Sequence, residues 1–208
     1  MSITIHGMGT IRTHRPLWLA HEMGLEFAHN AIGPRTGETM EPEFLALNPR
    51  HKVPVLQHGD VILTESTAIM TYMVETFPVP DHIYVPGDAL ARARHQEWCF
   101  FVMSELDANG IYTIRRHKYL KHIYGDAPVA VESAREYFSH QIECMAGPLG
   151  EMAPFLFGEK LSVADILLTS CLALAPEYEI PLPQNMTDYC GMMQARQAYK
   201  DASAQNNG

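Results

Sequence analysis

The stretch HKVPVLQHGDVILTESTAI, from His51 to Ile69, predicts two short strands, a tight turn and the start of a helix. The segments KVPVLQ and DVILT are joined only by the tripeptide HGD, and so short a connection between strands favours an antiparallel hairpin. Pro54 stands inside the first strand, where it removes a backbone hydrogen-bond donor. The sequence therefore predicts a hairpin whose first strand is interrupted, followed by a helix that begins near Glu65 and Ser66.

The residues before this hairpin alternate between strand and helix patterns. ITIHG and LEFAHNAI are predicted strands, and apolar residues at helical spacing lie between them. The order strand, helix, strand, helix, strand, strand, helix is typical of an α/β domain. The proline-rich segment FPVPDHIYVPGD then indicates a stiff connector. We expect an α/β domain over residues 1–79 and a linker over residues 80–86.

Residues 87–208 show mainly helical patterns and predict an all-α domain. The segment LSVADILLTSCLAL has the clearest helix start, because Ser162 can cap the helix and Asp165 stands at the third helical position. Such a reciprocal cap contributes roughly 1 kcal/mol, so both residues are expected to be structural. Asn109-Gly110 predicts a kink or break, and the polar segment DASAQNNG predicts a frayed end.

Composition narrows the class of protein. The chain has 208 residues, 47% of them hydrophobic, and a net charge of -9, which argues against nucleic acid as a partner. No apolar stretch approaches the length of a membrane span, and MSITIHGMG lacks the features of a signal peptide. Widely spaced cysteines without ligand neighbours predict thiols in a reducing cytoplasm and no metal site. These cysteines are Cys99, Cys144, Cys171 and Cys190.

Two segments carry a resemblance to a known family. NPRHKVPVLQHGDVILTESTAI resembles the glutathione-binding stretch of cytosolic glutathione transferases, including its Asn-Pro, Val-Pro and Glu-Ser pairs, and LSVADILL resembles the folding motif of their helical domain. The resemblance covers nearly all of the chain and is closest to bacterial-type enzymes with a serine-type site. It implies a thioredoxin-like α/β N-terminal domain and an all-α C-terminal domain.

The resemblance implies how glutathione is held along the hairpin. A cis bond between Val53 and Pro54 would leave the backbone of Val53 to pair with the tripeptide, as an added strand would; the alternative is a trans proline on an edge strand. Glu65 and Ser66, at a helix start, would bind the γ-glutamyl end, since helix N-termini attract carboxylates. The alternative for this pair is an ordinary helix cap.

Basic residues near these segments could bind the glycyl carboxylate of glutathione. The resemblance points to His51 and Lys52, which a solvated loop would explain equally simply. Arg12 could add positive potential beside the sulfur. Gln57 and Arg35 are further candidates that no pattern selects.

The first strand-helix turn, HGMGTIRTHRPLWLA, has hydroxyl groups where thioredoxin-like redox proteins have cysteines. By resemblance, Thr10 takes the position of the catalytic serine, and Thr13 lies near where some bacterial classes have cysteine. A hydroxyl that donates to the sulfur of glutathione lowers the thiol pKa and favours a nucleophilic thiolate. The alternative is that both threonines only cap the helix.

The resemblance further implies that an electrophile binds along the helix after the linker. Tyr112 and Arg116 share a helical face and could meet an anionic or aromatic co-substrate, and Met103 is a candidate apolar wall. A solvated basic face and ordinary core packing are the alternatives for these residues.

The predicted function is that of a cytoplasmic, homodimeric glutathione transferase in detoxification, which uses glutathione as co-substrate, needs no metal and binds neither nucleic acid nor membranes. It would add the thiolate to a small electrophile, with isomerase or peroxidase activity as variants. The alternative is a non-enzymatic interaction or stress-regulatory module, because one fold serves many functions. A thiol-disulfide reductase would need a cysteine near the first helix, and none precedes Cys99.

Overall fold

The computed structural model describes residues 3–150 and 154–208, except for the side chains of residues 146 and 148–150. Within these ranges the chain forms two compact units. The first combines Met1–Val85 with Gln194–Gly208, and the second is Pro86–Met193. The first unit is a thioredoxin-like β/α domain and the second is helical, so the predicted fold class is confirmed.

A four-stranded sheet organises the first unit. Its spatial order is β2-β1-β3-β4; β1 pairs in parallel with β2, and β3 pairs antiparallel with both β1 and β4. The β3-β4 pair confirms the antiparallel hairpin that the short HGD connection predicts. The strands are β1 (Ile3–His6), β2 (Phe27–Asn30), β3 (Val55–His58) and β4 (Val61–Thr64).

Helices cover the sheet of the first unit. The longest of them, α1, is explained by its two ends. It begins after Thr10, whose side chain caps the first turn, and it ends at Gly24, where φ is 63° and glycine is favoured. Its buried face includes Leu17, Trp18 and Leu19. The helices of this unit are α1 (Ile11–Met23), α2 (Pro42–Leu47) after a 3-10 turn (Glu38–Met40), and α3 (Ser66–Thr76).

A later helix, α9 (Gln197–Asn207), packs against α1. The ring of Tyr199 lies 4.7 Å from that of His14 and 4.9 Å from that of Trp18, measured between centroids. Arg196 makes two hydrogen bonds to Glu22, of 2.6 and 2.7 Å. Residues 194–208 therefore group with the sheet, whereas the sequence places them in the helical domain over residues 87–208. The frayed end predicted for DASAQNNG is wrong, because α9 continues to Asn207.

The contact between α1 and α9 makes stability sensitive to pH. Burial lowers the pKa of His14 from 6.5 to about 4, against a weaker opposing effect of the Tyr199 carbonyl. Between these two pKa values the unfolded chain binds one proton more than the folded protein, so the free energy of unfolding should fall as pH drops through this window. The full effect is about 3 kcal/mol.

Denaturant titrations at several pH values measure this dependence. His14→Gln, which cannot titrate, should flatten the dependence of the free energy of unfolding on pH between 4 and 6.5. His122→Gln, at an exposed position, should leave it unchanged. An equal pH dependence in His14→Gln and the unchanged protein would contradict the assignment to His14.

The second unit is helical within its described residues. Its longest run starts as α4 (Ala89–Phe101) and continues with π-helical winding over Val102–Tyr112 and Arg115–Tyr119. Of the kink or break predicted at Asn109-Gly110, the break is wrong, because the winding continues through Val102–Tyr112. A Cβ at Gly110 would lie 2.8 Å from Phe138, so close packing explains the glycine. The other helices are α5 (Lys121–Tyr124), α6 (Pro128–Gly150), α7 (Val163–Leu172) and α8 (Gln184–Gln194).

The start of α7 has the predicted reciprocal cap. Ser162 Oγ accepts from the Asp165 amide, and the Asp165 carboxylate accepts from the Ser162 amide at 2.8 Å. Asp165 also accepts from the Leu156 amide at 2.8 Å and from the Tyr189 hydroxyl at 2.6 Å. Burial raises the pKa of Asp165, and these hydrogen bonds oppose that rise. The capping box is thus confirmed, and it also fixes the preceding loop and α8.

Candidate functional site

Strand pairing brings the predicted site segments to one edge of the sheet. Four residues stand in a single row across the strands, and each is the last or first residue of its strand at that edge. The loop after β1, the residues before β3 and the helix start after β4 therefore all meet there. The four residues of the row are His6, Asn30, Val55 and Thr64.

The loop from β1 to α1 contacts the segment before β3. Gly7 has φ 125°, and a Cβ at this position would lie 2.7 Å from Val53 Cβ and 2.9 Å from Thr13 Oγ1. Only a glycine leaves space for both neighbours. The predicted backbone-pairing residue Val53 and the hydroxyl of Thr13 thus both lie close to the position that a side chain of residue 7 would occupy.

The two threonines of the first turn form a hydroxyl pair. Thr10 Oγ1 lies 2.9 Å from Thr13 Oγ1 and accepts from the Thr13 amide at 3.0 Å. Thr13 is fully buried, whereas Thr10 is partly exposed. Thr10 is therefore a helix cap whose hydroxyl can also reach a bound molecule, and Thr13 lies behind it.

The Val53-Pro54 peptide bond is cis. Pro54 is buried and Val53 half-buried, and the ladder of β3 begins only at Val55. The main chain of Val53 consequently lies outside the regular sheet pairing at the edge where the threonines lie.

The helix start after β4 has an unusual backbone and a charged neighbour. Glu65 has φ 68°, a region that L-residues seldom adopt, and its exposed carboxylate pairs with the Arg50 guanidinium at 3.0 Å. Arg50 also donates to Thr64 Oγ1 at 2.6 Å. Ser66 is buried in the first turn of α3, with its Oγ 3.4 Å from Nη1 of Arg15.

A compact turn presents the predicted carboxylate-binding residues. Asn48 is buried; its side chain donates to the Lys52 carbonyl at 2.8 Å and accepts from the Arg50 amide at 3.1 Å. His51 has φ 43°, and the side chains of His51 and Lys52 are exposed. Arg12 lies in the first turn of α1. Positive charge thus flanks the edge of the sheet on two sides.

Known proteins resemble this chain in sequence and in fold. The profile of the glutathione S-transferase N-terminal domain matches residues 1–75. The chain is 31% identical over 146 residues to glutathione S-transferase theta-1 of Bos taurus, which covers 69% of this chain and 60% of that protein. It is 27% identical to a delta-class glutathione transferase structure of Nilaparvata lugens, with a TM-score of 0.82 over 98% of this chain and 94% of that one. Residues 1–75 thus contain a glutathione S-transferase N-terminal domain.

Coverage of the curated relatives is partial. Glutathione S-transferase 1 of Dianthus caryophyllus is 30% identical over 151 residues, which make up 71% of this chain and 65% of that protein. The matches thus span less than two thirds of the length of the Dianthus caryophyllus and Bos taurus relatives. The likeness of the whole chain to the glutathione S-transferase family rests on sequence and fold together, and its activity is a separate question.

Two arginines of the site are absent from the sequence-based prediction. Arg50 pairs with Glu65, and Arg15 is fully buried with its guanidinium beside Ser66. A signal for Arg15 exists in the sequence, since it is a charge directly before the apolar run PLWLA. Arg50 has no such signal, because its partner is set by the fold of the hairpin.

The predicted electrophile residues lie in the second unit. The Arg116 guanidinium is over the Tyr112 ring at 5.9 Å and over the Tyr124 ring at 4.5 Å. Both Tyr112 and Arg116 are partly exposed, as is Met103 in the same π-helical run. The structure therefore brings Tyr112 and Arg116 together as a cation-aromatic cluster, which includes Tyr124 beyond the predicted set.

Three of the four cysteines are buried, and burial shifts the pKa of two of them. Burial raises the pKa of Cys99 to about 12 and that of Cys190 to about 11, so both are protonated near neutral pH. Cys144 is exposed on α6. Across residues 3–150 and 154–208 no group of three or more His, Cys, Asp or Glu is arranged to hold a metal ion, and no helix there is long and apolar enough to cross a bilayer.

Proposed function

We propose that this protein is a glutathione transferase that adds the thiolate of glutathione to a small electrophile. The convergence of the Thr10 turn, Val53 and the start of α3 at one edge of the sheet carries this proposal. The resemblance adds that it works as a cytoplasmic homodimer of bacterial type, with a threonine in place of the catalytic serine.

The tripeptide has a partner for each of its parts. The main chain of Val53, outside the ladder, pairs with the cysteinyl backbone as an added strand would. The first turn of α3, with Ser66, binds the γ-glutamyl carboxylate, because unpaired amides and the helix dipole favour an anion there. Glu65 accepts from the γ-glutamyl ammonium.

Val53, Glu65 and Ser66 together form the proposed glutathione cradle, and charged residues around it suit the remaining groups of the ligand. Arg50 holds the Glu65 carboxylate in place, so the ammonium of glutathione would share that carboxylate with the guanidinium. His51, Lys52 and Arg12 supply positive charge for the glycyl carboxylate. The cluster of Tyr112 and Arg116, with Met103 nearby in the same helical run, is proposed to bind the electrophile.

The chemical step needs one donor to the sulfur. In the proposed arrangement the buried Thr13 hydroxyl donates a hydrogen bond to Thr10 Oγ1, which leaves the Thr10 hydroxyl to donate a hydrogen bond to the sulfur. The thiol proton leaves to solvent, because the donated hydrogen bond stabilises the thiolate. The sulfur forms a bond to the electrophilic carbon, and the leaving group departs with its electron pair. Direct contact with the sulfur is thus assigned to Thr10, and Thr13 supports it.

Calorimetric titration with S-methylglutathione tests the cradle without involving the thiol. Glu65→Gln should weaken binding about tenfold or more, since a hydrogen bond to a charged group contributes roughly 1.5–3 kcal/mol. Glu26→Gln makes the same charge change just before β2, at the opposite edge of the sheet, and should leave the dissociation constant unchanged. If the unchanged protein did not bind S-methylglutathione, the proposed function would be refuted. If it does bind, assays with a panel of halogenated, epoxide, unsaturated-carbonyl and peroxide substrates identify the electrophile.

A further inference from the structure

The loop of residues 7–9, which precedes Thr10, is fixed by hydrogen bonds to other segments of the chain. Gly7 and Gly9 both have positive φ, of 125° and 67°, and a glycine backbone is the least restricted of all residues. A catalytic hydroxyl at the end of such a loop keeps its position only if the loop backbone is fixed by neighbours. The hydrogen bonds of this loop therefore determine where Thr10 Oγ1 lies.

Strand β2 and the residues after it supply three of these bonds. The Gly7 amide donates to the Asn30 carbonyl at 2.8 Å, and His29 Nε2 donates to the Gly7 carbonyl at 2.7 Å. The Met8 amide donates to the Ile32 carbonyl at 2.9 Å. These contacts fix the first half of the loop to the sheet.

The last bond, directly before Thr10, comes from α9. The Gly9 amide donates to the main-chain carbonyl of Asn206 at 2.8 Å. Asn206 lies in the last turn of α9, where carbonyls have no hydrogen-bond partner within the helix. The bond therefore gives a partner to both the Asn206 carbonyl and the Gly9 amide. The oxygen of the Asn206 side chain is buried without a hydrogen-bond partner, which leaves the main chain as the contacting group.

Helix α9 is itself attached to α1, the helix that Thr10 caps. His14 Nε2 lies 2.9 Å from Ser203 Oγ, and His21 Nε2 lies 2.9 Å from Gln205 Oε1. Ala202 is fully buried. The Thr10 loop, α1 and α9 thus form one hydrogen-bonded assembly, in which α9 contacts α1 at His14 and His21 and the loop at Gly9, the residue before the cap of α1.

We propose that α9 is a positioning element for the catalytic hydroxyl, acting through the Asn206 carbonyl on Gly9. This inference rests on the proposed function, because it concerns the placement of Thr10 against the sulfur of glutathione. Loss of the Gly9 contact should leave the cradle for the tripeptide intact and move only the hydroxyl. The expected signature is weaker activation of the thiol with unchanged binding of the thiol-blocked ligand.

Two shortened chains form a matched pair for the test. A chain that ends at Gln205 lacks the Asn206 carbonyl, whereas a chain that ends at Asn206 keeps it, and both carry a terminal carboxylate in nearly the same place. The chain ending at Gln205 should show faster hydrogen exchange at the Gly9 amide, a higher pKa of bound glutathione in ultraviolet thiolate titrations, and a kcat about tenfold or more lower, since a misplacement of about 1 Å can cost roughly a hundredfold. The chain ending at Asn206 should match the full-length protein.

The measurements separate this inference from the proposed function. Absence of S-methylglutathione binding in the full-length protein would overturn the proposed function and, with it, the catalytic part of this inference. Hydrogen exchange at the Gly9 amide would still decide whether α9 holds the loop. Normal S-methylglutathione binding with equal thiol pKa and kcat in both shortened chains would overturn the inference alone. Should the chain ending at Gln205 not fold, Asn206→Pro, which distorts the last turn at full length, should give the same raised thiol pKa, and an unchanged thiol pKa would refute the inference.

Discussion

Replacing Thr10 with valine should lower kcat/KM for conjugation about 100- to 1,000-fold, the range seen when one donor to a developing or stabilised negative charge is removed. Valine keeps the shape of threonine but cannot donate to sulfur. The pKa of bound glutathione should rise towards about 8.5, the ordinary value of a cysteine thiol. Steady-state kinetics and ultraviolet titration of the thiolate measure both effects.

Three further measurements make the Thr10 result specific. Thr10→Ser keeps the hydroxyl and should retain most of the activity. Thr13→Val removes the hydroxyl that lies 2.9 Å from Thr10 Oγ1 and should have a smaller effect of the same sign. Because Thr10 also caps α1, Thr10→Val should lower the free energy of unfolding by about 1 kcal/mol, which is too little to unfold the protein. Equal kcat/KM in Thr10→Val and the unchanged protein would exclude this hydroxyl from catalysis.

The second large effect is on stability and concerns Asp165. Asp165→Ala should lower the free energy of unfolding by about 3–5 kcal/mol, because each buried donor left without an acceptor costs roughly 1–3 kcal/mol. The variant leaves the amides of Leu156 and Ser162 and the hydroxyl of Tyr189 without their buried acceptor. Chemical denaturation followed by circular dichroism measures the loss.

A surface aspartate provides the control for Asp165. Asp188 on α8 is exposed and accepts a hydrogen bond only from the Gln184 side chain at 2.8 Å among its contacts in the described chain. Asp188→Ala should therefore change the free energy of unfolding by about 0.5 kcal/mol or less. Losses of similar size in Asp165→Ala and Asp188→Ala would show that the buried network contributes no special stability.

Local patterns predict those parts of the fold whose partners are close in sequence. The β3-β4 hairpin follows from two alternating segments and a short turn, and the α7 cap follows from Ser162 and Asp165 three residues apart. The Thr10 turn is predicted as a helix start for the same reason. In each case one short window contains both partners of the interaction.

Contacts between distant segments escape this kind of prediction. The helix α9 has polar residues on most positions, so its composition suggests a frayed end, although Tyr199 and Ala202 pack against α1. The Arg50-Glu65 pair joins residues 15 apart, and the Gly9-Asn206 bond joins main-chain groups that have no signature in the sequence. These parts of the site depend on topology, which local periodicity does not encode.

The composition of the first unit from Met1–Val85 and Gln194–Gly208 has a consequence for synthesis on the ribosome. The ribosome synthesises the whole of Pro86–Met193 between these two portions. Until Tyr199 is synthesised, the nascent first unit therefore lacks the ring that packs on Trp18 and His14. Exposed apolar surface of this kind attracts chaperones and favours aggregation. Completion of the nascent domain is thereby delayed until translation has passed the helical unit.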